Sequence, residues 1–186
     1  MQYPAPGAPQ EAEQLATDPE IRKDETWGLD HGAWSVLRHM YPNADVPAFQ
    51  LSLDERRSFE DHLGLGREIR TLRERAVLIL GSGNIVHNLR RVDWDNPHGA
   101  YDWAVEFDAK VKAAVEAHDA AALAQPQKWG EHLLATAHPT VEHYLPLLYC
   151  IGSTDQNDAV SYPYEGFDFG SISMRAVLFG DSDPSL

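Results

Sequence analysis

The chain of 186 residues carries nine histidines, and three of them stand where chemistry can be built. His87 closes the segment Gly81-Ser82-Gly83-Asn84-Ile85-Val86-His87-Asn88, which follows the apolar run Ala76-Val77-Leu78-Ile79-Leu80. Such a run reads as a strand buried on both faces. The glycines after it let the backbone turn sharply, and in open α/β sheets sites form just beyond the carboxyl ends of strands. An imidazole there can take and return protons near neutral pH; it can equally cap or pack the turn. No Gly-Lys-Ser/Thr follows, so the segment is not a phosphate loop. Val86 stands where the third glycine of a dinucleotide fingerprint belongs.

The second context is His138-Pro139-Thr140-Val141-Glu142-His143. The pattern predicts a helix opening at Pro139-Thr140, capped by Thr140 and running through Leu145 to Tyr149, kinked or shortened at Pro146. Glu142 and His143 would then occupy its first turn, where the positive helix end keeps an imidazole neutral and able to bind a metal. A solvated helix start fits the same residues. The third context, Asp30-His31-Gly32, is a loop before an apolar helix, the kind of position that holds functional residues or plain turn chemistry. His39, His62, His98, His118 and His132 lie on polar or amphipathic stretches and read as surface residues. There is no His-Glu-x-x-His motif.

The elements that must position these histidines alternate between strand and helix. Residues 8–18 read as an exposed helix. The segment 26–41 begins as a loop and becomes a helix that Pro42 stops. Strands are predicted at 47–53, 76–80 and 171–179, with Asp54 capping the helix after the first. Trp103, Phe107, Val111 and Val115 recur at four-residue spacing and mark a helix over 101–117, with a short one at 119–124. The fold class is therefore α/β, a layered sheet of buried strands with helices on both faces. Three strands are few for such a sheet, so the domain reads as one lacking its opening strands.

Composition narrows the function classes. With 15 basic and 29 acidic residues the formal charge is −14, which disfavours nucleic acid as a partner. One cysteine, Cys150, excludes a disulfide framework and a Cys-rich zinc site. No apolar run approaches the roughly 20 residues of a membrane span. A soluble cytoplasmic protein is expected.

Three segments in order, Trp27-Gly28-Leu29-Asp30-His31-Gly32-Ala33-Trp34, Gly81 through Arg90, and Glu142-His143-Tyr144-Leu145-Pro146-Leu147-Leu148-Tyr149, resemble the class III extradiol ring-cleavage dioxygenases. Within them the chain is most similar to the DOPA 4,5-dioxygenase branch, related to the catalytic subunit of protocatechuate 4,5-dioxygenase. Gly170-Ser171-Ile172-Ser173-Met174-Arg175 and Tyr3-Pro4-Ala5-Pro6-Gly7 fit as well. The resemblance implies a non-haem Fe(II) enzyme, with zinc as the other metal seen in the branch. Its substrates would be an aromatic diol (a catechol) and O2, and its product a ring-opened semialdehyde. It implies that His143 is a metal ligand, with Glu142 the second choice, that His87 is the acid/base, and that His31 is a second active-site histidine.

The family's other two ligands lie in Gly-His-Gly-Ser-Pro and Ser-Ala-His-Trp motifs, and neither occurs here. The expectation is thus a single catalytic domain over 1–186, truncated at its N-terminal side relative to the family and impaired in metal binding. Two other functions fit the residues. A non-catalytic remnant would act through partner or self association as a homo-oligomer. A metallohydrolase would use His31, His87 and His143 together.

Overall fold

A strand exists only where a second chain segment accepts its backbone hydrogen bonds, and this condition decides which predicted strands form. The structure is a computed structural model and describes residues 3–15 and 21–180. The chain divides into two units, residues 1–53 and 54–186.

In the first unit, α1 spans Pro9–Leu15 and α2 spans His31–Met40. The last residues of the helix expected over 8–18 lie outside the described residues. Asp30 caps α2: its Oδ1 accepts from the Ala33 N–H at 2.9 Å, while Gln50 bonds both its Oδ2 and its backbone N–H. The segment 47–53 does not form the expected strand. It makes one isolated parallel bridge, Gly7 to Ala48, because no described segment runs beside it for longer.

In the second unit, α3 (Phe59–Ile69) begins at Ser58, not at Asp54. Ser58 and Asp61 form a reciprocal capping box, which satisfies two of the helix's free N–H groups at once. Asp54 instead pairs with Arg56 at 2.8 Å. The helices α4 (Asp102–Glu116) and α5 (Ala120–Leu123) match the spacing of their apolar residues, and Asp119 caps the second. The helix α6 (Glu131–Ala137) was not anticipated from the sequence. The helix α7 spans Leu145–Gly152 and starts later than expected. Pro146 sits in its first turn, where the missing N–H costs nothing, so it starts the helix and does not kink it. Residues 139–144 form bends and turns before it.

The helices α3 and α7 cross at two glycines. A Cβ on Gly66 would lie 2.8 Å from the carbonyl oxygens of Leu148 and Tyr149, and one on Gly152 would lie 2.7 Å from that of Leu63. This approach buries Leu63, Ile69, Leu145, Leu148 and Ile151, each stabilising by about 1.5–3 kcal/mol. Phe107 of α4 meets Trp129, His138 and Tyr144 edge to face. The Tyr144 hydroxyl donates to the Leu123 carbonyl, which satisfies its one buried polar group.

The strands form two small antiparallel pairs. β1 (Val160–Tyr164) pairs with β4 (Ala176–Phe179), and β2 (Phe167–Asp168) pairs with β3 (Ile172–Ser173). The α/β class holds, but the strand expected over 171–179 is split at Met174-Arg175. There Met174 donates its N–H to Gly166, and Arg175 turns inward to Asp108. The Asp108 side chain is 3% exposed and that of Arg175 9%, and Ser173 Oγ donates to the same carboxylate at 2.6 Å. The run 76–80 is not a buried strand. Residues 77–80 are irregular, with Leu78 55% and Leu80 41% exposed, since no described strand pairs with them. His62 is a further correction: it is fully buried between α3 and α7, its Nδ1 bonded to the Tyr149 hydroxyl at 2.8 Å.

Candidate metal and proton-transfer site

His87 is placed by backbone pairing on two sides. Its N–H donates to the Ala137 carbonyl at 3.0 Å, and Val86 and Asn88 bond to Ser173 and Ser171 of the segment carrying β3. His138, buried at the end of α6, adds a bond from its Nε2 to the Ile85 carbonyl at 2.7 Å. Since a carbonyl only accepts, Nε2 carries a proton. Burial pushes its pKa down to about 4. The turn carrying His87 is therefore pinned from both flanks.

His143 comes from the turn before α7, not from a first helical turn. It is gripped by the glycine-rich segment. The Asn84 N–H donates to the His143 carbonyl at 3.1 Å, and a Cβ on Gly83 would lie 2.3 Å from that oxygen, so only glycine fits. The rings of His87 and His143 stack with centroids 3.5 Å apart and planes 13° apart. Glu142 lies beside them. Its Oε1 accepts from the Thr140 hydroxyl at 2.9 Å, whereas its Oε2 is buried without a hydrogen-bond partner among the described residues. Thr140 thus holds the Glu142 side chain and does not cap a helix.

One donor atom from each of His87, Glu142 and His143 lies within 4.8 Å of the others. Burial, then the charge of His143, holds His87 below the usual imidazole range; burial does the same to His143, against the opposing pull of Glu142. Burial would raise the Glu142 pKa, but its own backbone N–H, Thr140 and the two imidazoles outweigh it and the shift is downward. A neutral imidazole and a carboxylate with one unsatisfied oxygen suit a divalent transition metal, with a second imidazole stacked beside them. The donors present fit such an ion.

Of the residues singled out in the sequence, the structure brings together His87 and His143, with Glu142. His31 is not a member of this cluster. It opens α2 in the first unit, exposed, with its ring edge-on to Trp34 at 5.2 Å. His39, His98 and His132 are exposed, as their polar surroundings imply, and His118 is half-buried. Two residues at the site had gone unassigned, Asn84 and His138. Asn84 lay inside the quoted glycine segment, but a neutral amide carries no chemical signature of its own.

Comparison with known proteins decides the family. The model of the catalytic LigB subunit of aromatic ring-opening dioxygenase matches residues 2–175. The chain belongs to this family. It is 40% identical over 183 residues to the 4,5-DOPA dioxygenase extradiol of Escherichia coli (strain K12), covering 96% of this chain and 68% of that protein. It is 31% identical over 193 residues to the 4,5-DOPA dioxygenase extradiol of Portulaca grandiflora, with the same coverage. The crystal structure of the uncharacterized protein JW3007 from Escherichia coli K12 superposes with a TM-score of 0.83 at 39% identity, over 95% of this chain and 75% of that one. The LigB family is one of metal-dependent ring-cleaving dioxygenases, so the chain is of an oxygenase class and its His/Glu cluster is a possible metal site. Among the described residues no helix is long and apolar enough to cross a membrane.

Proposed function

We propose that the chain cleaves a catechol with O2, using Fe(II) or Zn(II) held in part by His143, with His87 as the acid/base and His31 as a second histidine meeting the substrate, its metal affinity and rate lowered by the absence of the family's other two ligand motifs. The observation that carries this is the contact of the His87 and His143 rings beside the unpaired Glu142 oxygen, in a chain of the LigB family. A bound divalent iron would favour deprotonation of the diol and provide a place for O2. Imidazoles titrate near neutral pH, so His87 is suited to accept a hydroxyl proton on a ring nitrogen and return it when the ring opens. Thr140 orients Glu142 through Oε1 and leaves Oε2 free. The pairing of residues 85–88 with Ala137 and β3 keeps His87 from swinging away. The role of His31 rests on the resemblance of the segment Trp27 to Trp34.

The family match crosses both units, which supports reading 1–186 as one catalytic domain. The test is oxygen uptake with simple catechols after iron loading. Uptake with formation of a semialdehyde is expected, and His87→Ala should slow it by about 10²–10⁴-fold. No uptake by the iron-loaded chain with any such diol would overturn the assignment.

The exposed pair Leu78 and Leu80 favours a second reading, in which the chain acts by association with another copy of itself. Sedimentation tests it: this reading requires a dimer that Leu78→Lys converts to monomer.

A further inference from the structure

Hydrogen-bond polarity around Asn84 carries an inference beyond the assignment of ligands. Its Nδ2 lies 2.9 Å from the Ser173 carbonyl oxygen, and its Oδ1 lies 3.1 Å from His143 Nδ1. A backbone carbonyl can only accept, so the amide nitrogen must be the atom facing Ser173. The amide oxygen then faces the imidazole, and it too can only accept. The ring nitrogen it meets must therefore carry a proton. Ser173 is itself anchored, its hydroxyl on Asp108 and its N–H on the Val86 carbonyl, so the carbonyl that sets the amide's direction does not drift. The Asn84 backbone N–H holds the His143 carbonyl in addition. Residue 84 thus grips both the main chain and the ring of residue 143.

We infer that Asn84 is a positioning residue which locks His143 in the Nδ1–H tautomer and leaves its lone pair on Nε2 for a ligand. The consequence for metal binding rests on the proposed ligand role of His143; the tautomer assignment does not. Metal-bound imidazoles are usually oriented by a partner on their other nitrogen, and loss of that partner typically costs 10–100-fold in metal affinity. Glutamine could not replace Asn84 here, since its longer stem would move both ends of the amide while Ser173 and His143 stay in place. Aspartate would keep an acceptor toward the ring but set a second acceptor against the Ser173 carbonyl.

The test is nitrogen-15 NMR of the histidine side chains in the metal-free chain, at a pH where the rings are neutral, with zinc calorimetry on the same samples. Native His143 should show Nδ1–H. Asn84→Ala should shift it toward Nε2–H and weaken zinc binding by about 10–100-fold. A native His143 protonated at Nε2, or an Asn84→Ala spectrum and affinity like the native ones, would overturn the inference. The native spectrum decides the tautomer even if a variant does not fold. Zinc affinity unchanged by His143→Ala, where the native spectrum shows Nδ1–H, would overturn the ligand reading alone.

Discussion

His87 and His143 lie face to face, 3.5 Å between ring centroids and 13° between planes. The lone pairs of stacked imidazoles lie in parallel planes, so the rings cannot both aim at one ion without fanning apart. The two histidines are thus suited to different tasks, one binding and one moving protons. His143→Ala is expected to abolish zinc or iron binding. His87→Ala should keep most of the affinity and lose turnover. Equal loss of affinity in both variants, measured by calorimetry, would make His87 a ligand instead.

Gly83→Ala tests the grip on His143. The added methyl would press on a backbone carbonyl at 2.3 Å, which cannot yield as a side chain would. The turn before α7 should shift, lowering metal affinity by at least the 10–100-fold typical of a lost supporting contact. Circular dichroism should show the helices retained.

The pair Asp108–Arg175 is buried on both sides. Removing Arg175 leaves the buried Asp108 carboxylate without a cation. Arg175→Ala is expected to destabilise the chain by about 3–5 kcal/mol in urea unfolding. Replacing both residues by apolar ones of similar size should cost much less.

Gly66→Ala places a methyl 2.8 Å from two carbonyl oxygens of α7. The helices α3 and α7 must separate, which should destabilise by several kcal/mol, on the scale of about 1–3 kcal/mol for overpacking and more where backbone cannot yield. An unchanged melting temperature would show that this crossing is looser than its geometry.

His138 gives a pH dependence with a definite sign. Its folded pKa is about 4, below the ordinary imidazole value of 6.5, because burial disfavours the cation. The unfolded chain therefore binds the proton more readily. The stabilisation is complete above pH 6.5 and is lost progressively as pH falls toward 4, to a total on the order of 3 kcal/mol. His138→Gln, whose amide can still donate to Ile85, should flatten that part of the stability–pH curve in denaturant titrations.

Much of this protein was legible in the order of its residues. The apolar spacing of Trp103, Phe107, Val111 and Val115 marks α4, and Asp119 marks the start of α5, since helix periodicity and caps are local properties. The glycine segment before His87 and the Glu142-His143 pair stood out because their residue types carry chemistry. The family could be recognised from the same segments. Contacts between distant residues left no such trace. Whether 47–53 and 76–80 form strands depends on partners that a local pattern does not contain. His62 looked like a surface residue until Tyr149, 87 positions away, met its ring. Pro146 could have kinked a helix or begun one, and the packing of α7 on α3 chose the second. The stack of His87 on His143, and the turn of Asn84 that fixes which nitrogen of His143 is free, belong wholly to the tertiary structure: they arise where segments nearly 60 residues apart are pressed together, and hydrogen-bond polarity there is set by neighbours in space.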